Sequence, residues 1–258
     1  MHSNSILTEE KLKQFKENLE RQTYAHQDFI DRLDPEKIGF KRAAVLIALF
    51  EYQNEVFVIL TKRSEQLKIH SGHVSLPGGK CDKTDADDIE TALRESEEEI
   101  GLDKSHLTVL GKGFPFMSFH GIYITPVVAV IKNTHGITLK INKSEVDSAF
   151  ACPLKYFINP DNHTIKMRTH SYNYTVPISN SNHQNPFLVE LLKSPSGKTF
   201  HVWGVTAHIL VPVVCLFYQA SVTLGSSHYN SNDVFHQTRE HLTSRSYFKN
   251  LFPQMSKL

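Results

Sequence analysis

Three cysteines in 258 residues are too few and too scattered for a disulfide framework or a thiolate metal cage. Cys81, Cys152 and Cys215 show no metal-ligand spacing and cannot all pair, a usage that fits a reducing compartment. No run of eighteen apolar residues occurs, so no helical membrane span is expected. The opening MHSNSILTEEKLK lacks the apolar stretch of a secretory signal. Neither sign of charge is in excess: the formal net charge is +1, which excludes the broad basic footprint of a nucleic-acid binder. Internal repeats are missing, and tryptophan occurs once, at Trp203. The remaining composition is that of an ordinary globular chain, long enough for one large domain with extensions.

What is present sorts by period. Residues 1–38 read as an amphipathic helical extension: Thr8 caps, Glu9 and Glu10 suit the first turn, and Leu12, Phe15 and Leu19 mark one face. Asp34-Pro35 breaks it. From Arg42 the texture is that of strands, with 43–49 and 55–63 joined as a hairpin across Gln53-Asn54. Segments 107–110, 122–131 and 138–141 predict further strands, Glu145-Val146 opens a late one, and 161–178 alternates as a polar hairpin. The apolar run 208–218 predicts a buried helix, and Trp203 just before it could stack an adenine or fill core, of which core is the expectation. Strands on both sides of one acidic helix predict an α+β chain folded as an α/β/α sandwich around a mixed sheet. The expected organisation is the extension 1–38, a main domain over 39–220, and a polar, less ordered tail over 221–258.

The acidic helix is the most informative stretch. In GGKCDKTDADDIETALRESEEEIGL, a helical period gathers Ile89, Leu93, Ser96 and Ile100 on one side. Asp88, Thr91, Glu95, Glu98 and Glu99 fall on the opposite side, while Glu90 and Glu97 point to solvent. Carboxylates at i, i+3 and i+4 repel one another, a cost that a Mg²⁺ site explains; a solvated acidic helix is the alternative reading of the run by itself. Asp82 and Asp85 lie in the loop before the helix, Pro77-Gly78-Gly79 lets backbone approach a ligand, and Gly101 can stop the helix.

These residues resemble the Nudix box, the loop–helix–loop of the Nudix hydrolases. Arg94, Glu95, Glu98, Glu99, Gly101 and Leu102 match its core. Ser96 departs from it at an apolar position, and the loop between glycine and helix is one residue longer than the commonest form. The early glutamate of that form has Asp85 as its nearest counterpart. Upstream, Leu60-Thr61-Lys62-Arg63-Ser64, Leu67, His70, Gly72 and Leu76-Pro77-Gly78-Gly79 are similar to an element of the coenzyme A diphosphatases among them. The Ser118–Gly121 loop and the WGVTA run at 203–207 also resemble that family.

The resemblance implies a Nudix fold and hydrolysis of the diphosphate of coenzyme A or its esters. Glu95, Glu98 and Glu99 would hold Mg²⁺, with Mn²⁺ as a substitute, and Arg94 would brace the carboxylates. Lys62, Arg63, His70, Gly78 and Gly79 would meet substrate, with Lys62 and Arg63 expected at the ribose 3′-phosphate. The base would be a box glutamate or a loop carboxylate such as Glu145. NADH or ADP-ribose is the alternative substrate, and a silent acyl-CoA sensor would be expected to lack the box glutamates. The terminal Ser256-Lys257-Leu258 reads as an address for the peroxisomal import receptor.

Overall fold

Alternation along one long strand organises the protein. The computed structural model describes residues 5–32, 40–118, 121–166, 169–178, 184–230, 232–236 and 239. Helices α1 (Glu9–Tyr24) and α2 (Gln27–Arg32) precede strands β1 (Lys41–Tyr52) and β2 (Glu55–Arg63). Short strands β3 (Val74–Ser75) and β4 (Gly78–Lys80) lead into helix α3 (Asp88–Ile100). Strands β5 (Leu107–Lys112), β6 (Phe116–Met117), β7 (Ile122–Ile131) and β8 (Val146–Pro153) complete an eight-stranded sheet. It is mixed, because β1 runs parallel to β7 and antiparallel to β2 and β4.

Residues of β1 alternate between two cores. Ala44, Leu46, Ala48 and Phe50 pack on the face covered by α3, with Ala92 and Ile100 of that helix. Ile47 and Leu49 face the other way, into a core shared with Leu12, Phe15 and Leu19 of α1. Both faces of the strand are therefore dry, which is why its sequence reads as a nearly unbroken apolar run. The expected hairpin forms: Gln53 and Asn54 both take positive φ, 50° and 59°, and bring Tyr52 opposite Glu55.

Beyond β8, strands β9 (His163–Lys166), β10 (Thr169–Thr175) and β11 (Thr199–Trp203) make a second, antiparallel sheet. Helix α4 (Pro186–Leu188) precedes β11, and helix α5 (Gly204–Tyr218) follows it directly. A hairpin of β12 (Val222–Leu224) and β13 (Ser227–Tyr229) follows. As its composition predicts, α5 is buried along most of its length. Phe217 on α5 receives Phe15 of α1 edge-on, ring centroids 5.1 Å apart.

Three expectations change. Segment 138–141 is not a strand, because its backbone amides serve the helix end instead. Lys140 N–H donates to the Ile100 carbonyl and Asn142 N–H to that of Glu99, each at 2.9 Å. The hairpin within 161–178 forms, but β10 is largely buried, with Tyr172 and Tyr174 in the core and β11 as a third strand. The segment after residue 220 packs Leu224, Tyr229, Val234 and Phe235 into the core, and Asp233 hydrogen-bonds His26 at 2.8 Å. Asp34-Pro35 and Ser256-Lys257-Leu258 lie outside the described residues, as do Phe119 and His120.

Candidate active site

Local chemistry holds α3 at both ends. The Asp87 side chain accepts from Glu90 N–H at 2.9 Å, and the Glu90 carboxylate accepts from Ala86 N–H. At the other end Gly101 takes φ 69°, and its N–H donates to the Glu97 carbonyl at 2.8 Å. A side chain there would collide with Lys140, so the turn requires glycine.

The carboxylates sort themselves by depth rather than forming one open face. Glu99 is nearly buried, its side chain 3% exposed, accepting from Gly78 N–H at 3.2 Å and lying 3.6 Å from Arg63 Nη1. Burial pushes its carboxyl up to about 7, against the lowering effects of Gly78 and Arg63, with Glu95 and Glu145 adding like charge. Glu95 is also raised, chiefly by burial, with Glu98 and Glu145 again adding like charge. Glu98 stays in solvent, 54% exposed, while Asp88 and Thr91 turn inward. The Asp88 carboxylate accepts from Arg42 and from Thr125.

Arg94 braces the group. It donates to both Asp85 oxygens at 2.8 and 3.0 Å, to Glu98 at 3.0 Å, to Glu95 at 3.1 Å, and to the Lys80 carbonyl at 3.2 Å. Asp85 also accepts from Thr91 Oγ1 and from Asp82 N–H, both at 2.8 Å, and Arg94 holds its carboxyl well below the usual range. The longer loop thus still delivers a carboxylate to Arg94, as a brace for the helix. Asp82 itself contributes only its backbone and a short local turn.

Among the described residues, no three acidic, His or Cys side chains are already gathered as a metal cage. The donor set nevertheless fits a hard divalent cation. Glu95, Glu98 and Glu99 offer only oxygen ligands, and burial raises the carboxyls of the two deeper ones despite Arg94 and Arg63 beside them. Gly79 makes room for this arrangement, since a Cβ there would stand 2.4 Å from the Glu95 carboxylate.

Gly78 and Gly79 are not an open loop. Both belong to β4, paired with Val45 and Ala44 of β1, and Gly78 lies so close to the Ala44 carbonyl that no side chain fits. Their direct service is to Glu99 and Glu95. Arg63 reaches Glu99, whereas Lys62 is held by Glu65 at 2.9 Å and Asp147 at 3.8 Å. His70, with φ 55°, sits in the exposed loop with its ring 5.3 Å from His73.

Next to Lys62 opens a cleft of about 380 Å³, lined also by Gly72, His73, Val74, Thr199, Phe200, His201 and Trp203. Trp203 is therefore partly exposed at a cavity, not core as expected. Alternation in β11 carried the signal: Phe200 and Val202 are buried, so Thr199, His201 and Trp203 share the other face. His73 and His201 gave no separate signal in the sequence.

The description NUDIX domain matches residues 40–173. Nudix hydrolase 15, mitochondrial, of Arabidopsis thaliana is 38% identical over 72% of this chain and 62% of its own length. Nudix hydrolase 22, chloroplastic, of the same plant is 36% identical over 84% of this chain and 68% of its own. The peroxisomal coenzyme A diphosphatase NUDT7 of Mus musculus is 34% identical over 52% of this chain and 56% of its own. The chain thus spans between about half and two thirds of these relatives, whose names agree on the family and differ in compartment. With over half of its residues within the matched domain and the glutamate helix at its centre, this protein belongs to the Nudix hydrolases.

Proposed function

We propose that the chain hydrolyses the diphosphate linkage of coenzyme A and its esters with Mg²⁺, or Mn²⁺ in its place, on Glu95, Glu98 and Glu99. Water adds its oxygen to one phosphorus, the bridging P–O bond breaks, and the bridging oxygen leaves on the other phosphate. The products are adenosine 3′,5′-bisphosphate and 4′-phosphopantetheine or its acyl form, with the protons of water released. When bound, the cation neutralises the diphosphate and acidifies water.

The observation that carries this reading is the position of Arg63, whose Nη1 lies 3.6 Å from Glu99. A guanidinium there can pair with a phosphate oxygen beside the carboxylates. A box glutamate not fully occupied by the cation, or Glu145, which lies close enough to Glu99 to raise its carboxyl, would take a proton from water. Arg94 stays charged and holds the carboxylates in place. The matching stretch in a relative named a coenzyme A diphosphatase supports the same substrate. A peroxisomal location and recognition by the import receptor belong to this proposal.

Mass spectrometry after incubation with coenzyme A, NADH and ADP-ribose, with and without Mg²⁺, tests it. We expect the two phosphorylated halves of coenzyme A, formed only with metal. Turnover of NADH or ADP-ribose with coenzyme A left intact would overturn the substrate. Arg63→Ala is expected to slow coenzyme A and dephospho-coenzyme A alike, because Arg63 faces Glu99. A loss confined to coenzyme A would return Arg63 to the 3′-phosphate.

A further inference from the structure

We infer that the cleft beside β2 seats the purine nucleoside end of the substrate, with Trp203 as the surface on which the base stacks. The inference rests on the hydrolase reading above for its assignment to a nucleotide, though not on coenzyme A in particular. NADH and ADP-ribose carry the same adenosine.

The cleft is built for a flat, weakly polar group. Its floor is one face of β11, where Thr199, His201 and Trp203 stand in a row. The His201 and Trp203 rings are nearly parallel, 10° apart with centroids 6.0 Å apart. Ser171 Oγ hydrogen-bonds His201 Nε2 at 2.6 Å and fixes that ring. His73 meets Trp203 from the side, 5.4 Å away and tilted by 62°, and forms a wall. Thr206 Oγ1 donates to the Val74 carbonyl at 3.2 Å, which holds the start of α5 against β3 and keeps the cleft from opening. A flexible, aliphatic pantetheine arm would gain little from stacked rings, whereas every purine has a π face to lay on them.

Lys62 lines the same cleft, 29% exposed, with Glu65 and Asp147 holding it. An ammonium has three donors, so two carboxylate partners leave it able to meet a phosphate on the ribose. Arg63, in contrast, serves the diphosphate. Position along one strand therefore separates the pair that the sequence had assigned together to the ribose 3′-phosphate.

Because Trp203 is the only tryptophan, the intact protein reports on this cleft without any engineered label. The experiment titrates the full chain in EDTA with adenosine 3′,5′-bisphosphate, 5′-AMP or 4′-phosphopantetheine, following indole emission and, in parallel, binding heat. We expect saturable quenching by both adenosine ligands and none by phosphopantetheine. Trp203→Leu should weaken adenosine binding roughly tenfold to a hundredfold, with Trp203→Phe restoring most of it. Lys62→Met should weaken the bisphosphate more than 5′-AMP. Binding heat from the adenosine ligands with silent emission overturns the inference, and so does quenching by phosphopantetheine alone. Hydrolysis of coenzyme A with Trp203 silent would remove this inference and leave the proposed reaction. Quenching by 5′-AMP in a protein that leaves coenzyme A intact would do the reverse.

Discussion

Glu99→Gln should make the metal-free protein more stable at neutral pH while nearly abolishing its activity. In the fold the Glu99 carboxyl is pushed by burial from its ordinary 4.5 up to about 7. The folded state therefore keeps a proton that the unfolded chain has already released. Stability of the metal-free protein falls as pH rises from 4.5 to about 7, and the loss is complete above that. Each pKa unit corresponds to about 1.4 kcal/mol, so a rise from 4.5 to about 7 amounts to about 3 kcal/mol. Glutamine has the size of the protonated acid and its carbonyl can still accept from Gly78 N–H. The variant should match wild type near pH 4.5 and exceed it by up to about 3 kcal/mol at alkaline pH. Urea unfolding in EDTA across that range measures the gap. Mg²⁺ should stabilise wild type and leave the variant nearly unmoved, and kcat should fall roughly a thousandfold. A stability gap that does not change with pH, or a variant weaker than wild type at alkaline pH, would refute the burial argument. A variant retaining half its activity would remove Glu99 from the metal site.

Arg94→Ala should cost about 3 kcal/mol of stability, because Asp85, its side chain 4% exposed, loses both guanidinium bonds. The deficit should be largest at neutral pH. It should shrink in acid as Asp85 takes up a proton, since Arg94 holds that carboxyl below its ordinary 3.8; a deficit constant with pH, read by chemical unfolding, would count against the brace. Ser96→Ala should be neutral or stabilising by up to about 1 kcal/mol, since Ser96 Oγ is buried without a hydrogen-bond partner among the described residues. A clear loss in thermal unfolding would mean that the hydroxyl has a partner the packing conceals.

Features that depend on near neighbours in the chain were legible in the sequence. The turn at Gln53-Asn54, the extent of β7, the stop at Gly101 and the buried helix α5 each follow from local residue types and period. The glutamates of α3 were legible too, because like charges one turn apart need a reason. What depended on pairing across the chain was not. Segment 138–141 carries strand residues, yet the free carbonyls at the end of α3 claim its amides. Gly78 and Gly79 looked like a loop because nothing local showed that β1 would pair with them. A helical wheel put five side chains on one face, and only packing against the sheet and loop sent Glu99, Asp88 and Thr91 inward and left Glu98 in water. Trp203 was assigned to the core on residue type alone; whether the face of β11 carrying it is covered depends on β3 and the loop before it, more than a hundred residues away. The sequence by itself determined which carboxylates share one helix beside Arg94, since their types and spacing are local. Only the tertiary structure decided their depth, partners and charge, since burial is set by elements remote in the chain.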